Sequence, residues 1–319
     1  MPPKKWSWND ESRERLDQVY AVLDEFEEFL PLTLRQIYYR LVAQRRVENS
    51  RAAFGAVASI CKHARVEGLI SWADIDDRPG GFYDLSGCYD TRVFVEESLK
   101  ALMSGYYRNL MQTQDAYLEL WVDAPSMRTF FSAIARRYSV SMALCGGFSS
   151  VSFLNDFMNR AFDAVREGRR PVILFFGNYA PGGTDLLESM KATFAKEESL
   201  SNISFKRIAL GRDDVTRHRL PANPDAIRGA ANGGRRRAAR FGELPVELDA
   251  LPPDLLERMI REAIEAEIDL ALFRSEQERQ RADRETIERL RARISGFLDN
   301  NVSLVTAAEI EYIPAKNGK

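Results

Sequence analysis

Four short apolar runs constrain this chain most: 117-YLELWV-122, 139-SVSMAL-144, 171-PVILFF-176 and 204-SFKRIAL-210. Each has strand length, and stretches of helical period, expected over 125–137, 150–166 and 184–196, separate them. A further helix is expected over 254–272. Strands that recur with intervening helices pair in parallel, because each crossover must carry the chain back to the start of the next strand. The second half is therefore expected to be α/β with a mostly parallel sheet.

Within it, 172-VILFFGNYAPGGTDLLESM-190 holds a strand that breaks at Gly177, a turn through Pro181-Gly182-Gly183, and a helix entered near Asp185. Strand, Gly-rich turn and helix together make a place where α/β proteins put chemistry. The turn, however, reads Asn178, Tyr179, Ala180, with no acid before Asp185. Another acid, Asp123, ends the 117–122 run at the sheet edge where ligands bind. A magnesium site needs one or two carboxylates converging with waters and phosphate oxygens. Asp123, Asp185 and Glu188 are candidates, and the alternative is solvated surface acids. Residues 246–249 read as a strand with Glu247 and Asp249 on one face, aimed at the same site or at solvent.

The first third reads differently. Apolar spacing at Leu16, Val19, Tyr20, Leu23, Phe26 and Leu30 predicts a helix that Pro31 ends. Thr33 is placed to cap a second helix over 34–44, and a third fits 50–69. Residues 69–77 read as a short strand. Three helices and an extended element follow the order of a winged-helix module. On the second helix, the adjacent Tyr38 and Tyr39 point about 100° apart, so one of them is expected to stay off the core. Arg35 shares a face with Tyr39, four residues on. A tyrosine with a nearby cation can attack a phosphodiester, and the plainer reading is an aromatic pair packing a helical domain.

Net charge is only −2, but its distribution is uneven. Between Pro31 and Ser71, Arg35, Arg40, Arg45, Arg46, Arg51, Lys62 and Arg65 face only Glu48 and Glu67. A second basic cluster holds Arg235, Arg236, Arg237 and Arg240. Local basic faces, not the total, attract phosphates. Three cysteines without metal spacing fit a reducing cytoplasm, and no apolar run has the length of a membrane span. A secretory signal is not expected, since no apolar run follows the first lysines.

In these motifs and their order, the chain resembles the topoisomerase VI A-subunit family, including its meiotic double-strand-break relatives. The compact stand-alone versions of bacteria, phages and mobile elements are the most similar. Thr33, Arg35, Ile37, Tyr38 and Tyr39 match the Thr-x-Arg-x-Ile-Tyr-Tyr pattern, and 48–78, 147-GFSSVSFL-154, 220-LPANP-224 and 247-ELDALPP-253 follow suit. The resemblance implies an N-terminal winged-helix (CAP-like) domain over 1–92, a connecting helix over 93–116, and a Toprim domain, Rossmann-like with a mostly parallel sheet, over 117–275. A C-terminal helix and tail would cover 276–319. It also implies Tyr39 as the nucleophile, Arg35 as its helper, magnesium as cofactor, double-stranded DNA as partner, and a homodimer in which one subunit's tyrosine meets the other's metal site.

The departures from the pattern fall on the chemistry. Where the compact relatives carry Glu-Lys-Asp-Ala, this chain has Asp123-Ala124-Pro125-Ser126, and both acids of their Asp-x-Asp are replaced, by Asn178 and Ala180. Magnesium is held mainly by carboxylate charge, so the implied site is degenerate, with Asp123 and Asp185 as its remaining acids. The expectation is a cytoplasmic duplex-binding dimer with impaired cleavage. Its rival is an active strand-breaking enzyme that forms a 5′-phosphotyrosyl bond, with Glu188, Glu247 or Asp249 as substitute ligands. A third reading is a scaffold that engages a protein through its charged C-terminal helix. No ATPase motif is seen, so ATP-driven strand passage would call for a separate ATPase subunit.

Overall fold

The alternation of apolar runs with helices is realised as a four-stranded, all-parallel sheet in the order β2-β1-β3-β4. Its strands are β1 (Ala116–Asp123), β2 (Ser141–Leu144), β3 (Arg170–Gly177) and β4 (Ser204–Ala209). The computed structural model describes residues 7–76, 94, 97–99, 101–145, 151–179, 187–188, 191, 203–223 and 245–300. The chain divides into two compact units, residues 1–79 with 114–269, and residues 80–113 with 270–319. Among the described residues, no helix is long and apolar enough to cross a membrane.

In the first unit, α1 (Asp10–Glu25), α2 (Leu34–Ala43) and α3 (Arg51–Val66) precede the sheet. Val19 and Val22 of α1, Ile37 and Leu41 of α2, and Val57, Cys61 and Ala64 of α3 are all buried. Thr33 caps α2 as its sequence position predicts. Its hydroxyl accepts from the Gln36 backbone N–H, and the Gln36 side chain accepts in return from the Thr33 N–H. Leu32 pairs with Ile75 as a parallel bridge, so the extended element expected over 69–77 is reduced to this bridge and a turn.

Along the strands, side chains alternate between two helical layers. Trp121, Ile173 and Phe175 pack with Phe157 of α5 (Val151–Arg166). The next residue, Phe176, points the other way and meets Phe131 of α4 (Arg128–Tyr138), with ring centroids 5.1 Å apart. Helices cover both faces, which is why these strands read as nearly continuous apolar runs. After β4 come α6 (Arg212–Arg217) and α7 (Pro253–Glu265). The helix expected over 254–272 stops at 265. The Gln114 amide accepts from the Asp269 N–H at 2.7 Å and donates to its carbonyl at 3.0 Å, giving this backbone partners outside a helix.

The second unit holds α8 (Leu270–Asn300). The connecting helix expected over 93–116 is seen at 94 and 97–99, while 101–113 form turns and irregular chain and Ala116 already opens β1. Arg108 from that stretch pairs with Glu276 and Asp283 of α8, and these bonds hold the stretch in a non-helical path.

Candidate functional site

Strand order reverses between β1 and β3, since the chain leaves β1 for β2 on one side and returns to β3 on the other. Open α/β sheets bind ligands at such a switch point, at the carboxyl ends of the strands. Here those ends are Asp123 and Gly177, paired across the ladder. Gly177 is required by close packing. A Cβ there would come within 2.6 Å of the buried Phe175 ring and 3.4 Å from the Asp123 Cβ.

Asn178, one residue on, fastens three segments. Its Nδ2 donates to the Asp123 carbonyl at 3.4 Å, while its Oδ1 accepts from the Leu248 N–H at 2.8 Å. Tyr179 and Val246 exchange two backbone bonds of 2.9 Å. An amide can donate and accept at once, whereas a carboxylate only accepts. The Asn178 amide can therefore hold the 245–250 segment against the sheet edge from both of its ends.

That segment is not the expected strand. Val246 makes a single antiparallel bridge, and Leu248–Ala250 then form a 3-10 turn with Leu248 and Ala250 buried. The Leu248 N–H goes to Asn178 instead of to a neighbouring strand, so no ladder continues. Glu247 and Asp249 thus do not share a strand face, yet both meet the α2 region.

At this junction Arg35 and Tyr39 converge on one oxygen of Glu247. The Arg35 Nη1 forms an ion pair with Oε2, and the Tyr39 hydroxyl donates to the same atom at 2.8 Å. The Asp249 carboxylate accepts from the Thr33 hydroxyl at 2.8 Å, and Ser126 Oγ lies 3.3 and 3.4 Å from its two oxygens. Burial pushes the Asp249 carboxyl up to about 6, against the pull of the Thr33 bond. Tyr39 is raised well above the usual phenol range, first by burial and then by the charge and hydrogen bond of Glu247. Burial works against the Arg35 charge, but Glu247, Asp249 and Tyr39 outweigh it and raise its pKa. In this arrangement Tyr39 is a firmly protonated phenol.

Both tyrosines are buried, against the expectation that one would stay off the core. The reason is that α2 is covered on two faces. Tyr38 turns towards the α2–α3 connection, donating to Asn49 Oδ1 at 3.0 Å and to the Ser50 carbonyl at 3.1 Å. Tyr39 turns towards Glu247, supplied by a segment some two hundred residues later. Arg40 is buried as well, and donates to the Ala250 carbonyl. Arg65 is buried with its guanidinium 5.0 Å from the Trp72 ring centroid. These two arginines hold the fold together and are removed from the expected phosphate-facing set, because buried guanidinium groups do not meet a duplex. Arg45, Arg46, Arg51 and Lys62 are exposed, as that role requires. Arg235, Arg236, Arg237 and Arg240 lie outside the described residues, as do Asp185 and Ala180.

Among the described residues, the side chains expected to hold magnesium have partners within the protein, and Asp185 lies outside those residues. Asn178 has spent its oxygen on Leu248, Glu247 holds Arg35 and Tyr39, Asp249 holds Thr33 and Ser126, and Glu188 pairs with Lys191 at 2.7 Å. Comparison with known proteins finds no family model that matches the chain and no curated protein that matches it.

The Glu247–Arg35–Tyr39 contact had no local signal in the sequence. The one available hint was charge complementarity between the basic face of α2 and the acid pair at 247 and 249.

Proposed function

We propose that this chain binds duplex DNA, in the manner of a topoisomerase VI A-like protein whose metal-dependent cleavage is impaired or absent. In this reading the three N-terminal helices act as a winged-helix module, and the parallel sheet with its helices acts as a Toprim domain. Arg45, Arg46, Arg51 and Lys62 contact backbone phosphates, with the 235–240 arginines as a second segment. Two copies form the working unit in the cytoplasm, and any strand passage draws on a separate ATPase subunit. The observation that carries the reading is Asn178. A side chain standing at the turn where the resemblance implies an acid uses both its hydrogen-bonding ends for structure, while the exposed cations of the α2–α3 turn and of α3 remain available. Phosphate contacts are enough for affinity without cleavage.

Fluorescence anisotropy with a labelled duplex tests this. Arg45, Arg46, Arg51 and Lys62 alone should make affinity fall about a hundredfold between about 50 and 200 mM salt, and each further contact from the second segment or second copy should steepen the fall. Reversing Arg45, Arg46 and Arg51 to Glu should abolish binding. No retention of duplex at low salt sinks the proposal.

One observation favours a second reading, an active strand-breaking enzyme. The Tyr39 hydroxyl already donates to Glu247, a base within reach of its proton. The tyrosine oxygen would bond to phosphorus as the bond to the 3′ oxygen breaks. Glu247 would take the phenol proton, and the departing oxygen would be protonated to a 3′ hydroxyl. Incubation with supercoiled plasmid and magnesium or manganese separates the readings. Covalent adducts that vanish in Tyr39→Phe would establish the second.

A further inference from the structure

We infer that Glu247 is an internal counter-anion: its carboxylate occupies the position at which a phosphate oxygen of the DNA backbone would meet Arg35 and Tyr39, and must leave for a duplex to engage there. The inference rests on the DNA-binding reading above and specifies how its α2 subsite is controlled.

Two donors, one of them a full cation, aim at a single oxygen, Glu247 Oε2. Charge-assisted convergence of this kind recognises an oxyanion whether a carboxylate or a phosphate supplies it. The donors are held in place by the fold. α2 is capped at Thr33, the Tyr39 ring packs 5.2 Å from that of Tyr38, and the Arg35 guanidinium lies 5.7 Å from the Phe54 ring centroid. The acceptor comes from a turn held by one bridge and Asn178 at the sheet edge and by Thr33 and Arg40 of the α2 region, so it is the Glu247 side chain alone that must swing away.

The pair also lies at a surface. The Arg35 side chain is 43% exposed, so part of a guanidinium with five donors faces solvent while Nη1 holds Glu247. Partly exposed ion pairs add little net stability, so exchanging one oxyanion for another there is close to neutral. Asp249, two residues on, places a second acid at the same junction and works against keeping Glu247 there.

The test compares the full chain with Glu247→Gln, which keeps an acceptor for Tyr39 and removes the competing charge. Duplex affinity at about 100 mM salt should rise about tenfold, and the salt dependence should steepen by about one unit, the signature of one added phosphate contact. Both gains should vanish in the double variant Arg35→Ala/Glu247→Gln. Glu247→Asp keeps the charge but is a methylene shorter, and should show a smaller gain in the same direction, so it carries the test if the glutamine variant does not fold. Duplex binding by wild type with no gain in either folded variant overturns the inference and leaves the DNA reading standing. Failure of every form to bind at low salt overturns both. If Glu247→Gln gains thermal protection from inorganic phosphate but no duplex affinity, the subsite serves a free anion and the inference falls.

Discussion

The first unit contains two Arg–Glu–Tyr constellations of the same chemistry and opposite character. Glu119, in the middle of β1, is buried. Each of its oxygens takes two donors: the Tyr117 hydroxyl at 2.7 Å and Arg160 Nε at 2.7 Å on one, Trp121 Nε1 at 2.8 Å and Arg160 Nη2 at 3.1 Å on the other. Glu247, at the edge of a turn, directs both its donors to Oε2. The bidentate pair, saturated on all sides, locks α5 onto the sheet. The one-oxygen pair joins α2 to a turn; both arginines are 43% exposed, but the Glu247 side chain is 19% exposed against 2% for Glu119. Geometry and burial, not residue type, separate a structural ion pair from one that can be exchanged.

The largest effect should come from breaking the locked constellation. Arg160→Ala leaves the Glu119 carboxylate buried with only two neutral donors. Stranding one member of a fully buried pair costs about 3–5 kcal/mol; Arg160 is 43% exposed, so solvent screening lowers this and chemical denaturation should report a loss of about 2–3 kcal/mol. A loss below about 1 kcal/mol, the range of exposed pairs, would erase the distinction between the two glutamates.

Next is Asp249→Asn, at the buried acid beside Glu247. The folded state raises this carboxyl from 3.8 to about 6, so it binds a proton more tightly when folded than when unfolded. Its contribution is most favourable below pH 4 and is lost as pH rises through 6. At pH 8 the buried charge costs roughly 3 kcal/mol, since each tenfold gain in proton affinity on folding corresponds to about 1.4 kcal/mol. Asparagine keeps an acceptor for Thr33 without the charge. The variant should match wild type near pH 3.5 and exceed it at pH 8 by about that amount, as thermal melts across pH would record. Equal stability of the two at pH 8 would mean that Asp249 carries no such cost.

Much of the sheet could be read from the sequence because strand signals are local. The runs at 117–122 and 171–176 sit within β1 and β3, and Thr33 caps α2 through a partner three residues away. The site was harder to read because its contacts are long-range. Nothing near Tyr39 announces that residue 247 will cover it, and burial of both Tyr38 and Tyr39 requires α2 to be enclosed on two sides. Arg40 and Arg65 read as part of a basic face because charge is visible in a sequence and depth is not. Asn178 reads as a missing acid, while its role as a donor to Asp123 and an acceptor from Leu248 appears only once three distant segments meet.

The smallest stability effect is expected at Glu247 itself. Glu247→Gln retains an oxygen for the Tyr39 hydroxyl and a side chain of the same length, and what it removes is a partly exposed ion pair whose carboxylate is 19% exposed, against 2% for Glu119. Solvent screening limits such pairs to about 1 kcal/mol or less, so the melting temperature should barely move. Glu119→Gln, by contrast, removes a charge on which the Arg160 fork closes. Two identical substitutions in one unit should therefore differ several-fold in cost. Were Glu247→Gln as damaging as Glu119→Gln, the junction between α2 and the 248–250 turn would be a fixed part of the core, and a carboxylate bound that firmly would not give way to a phosphate.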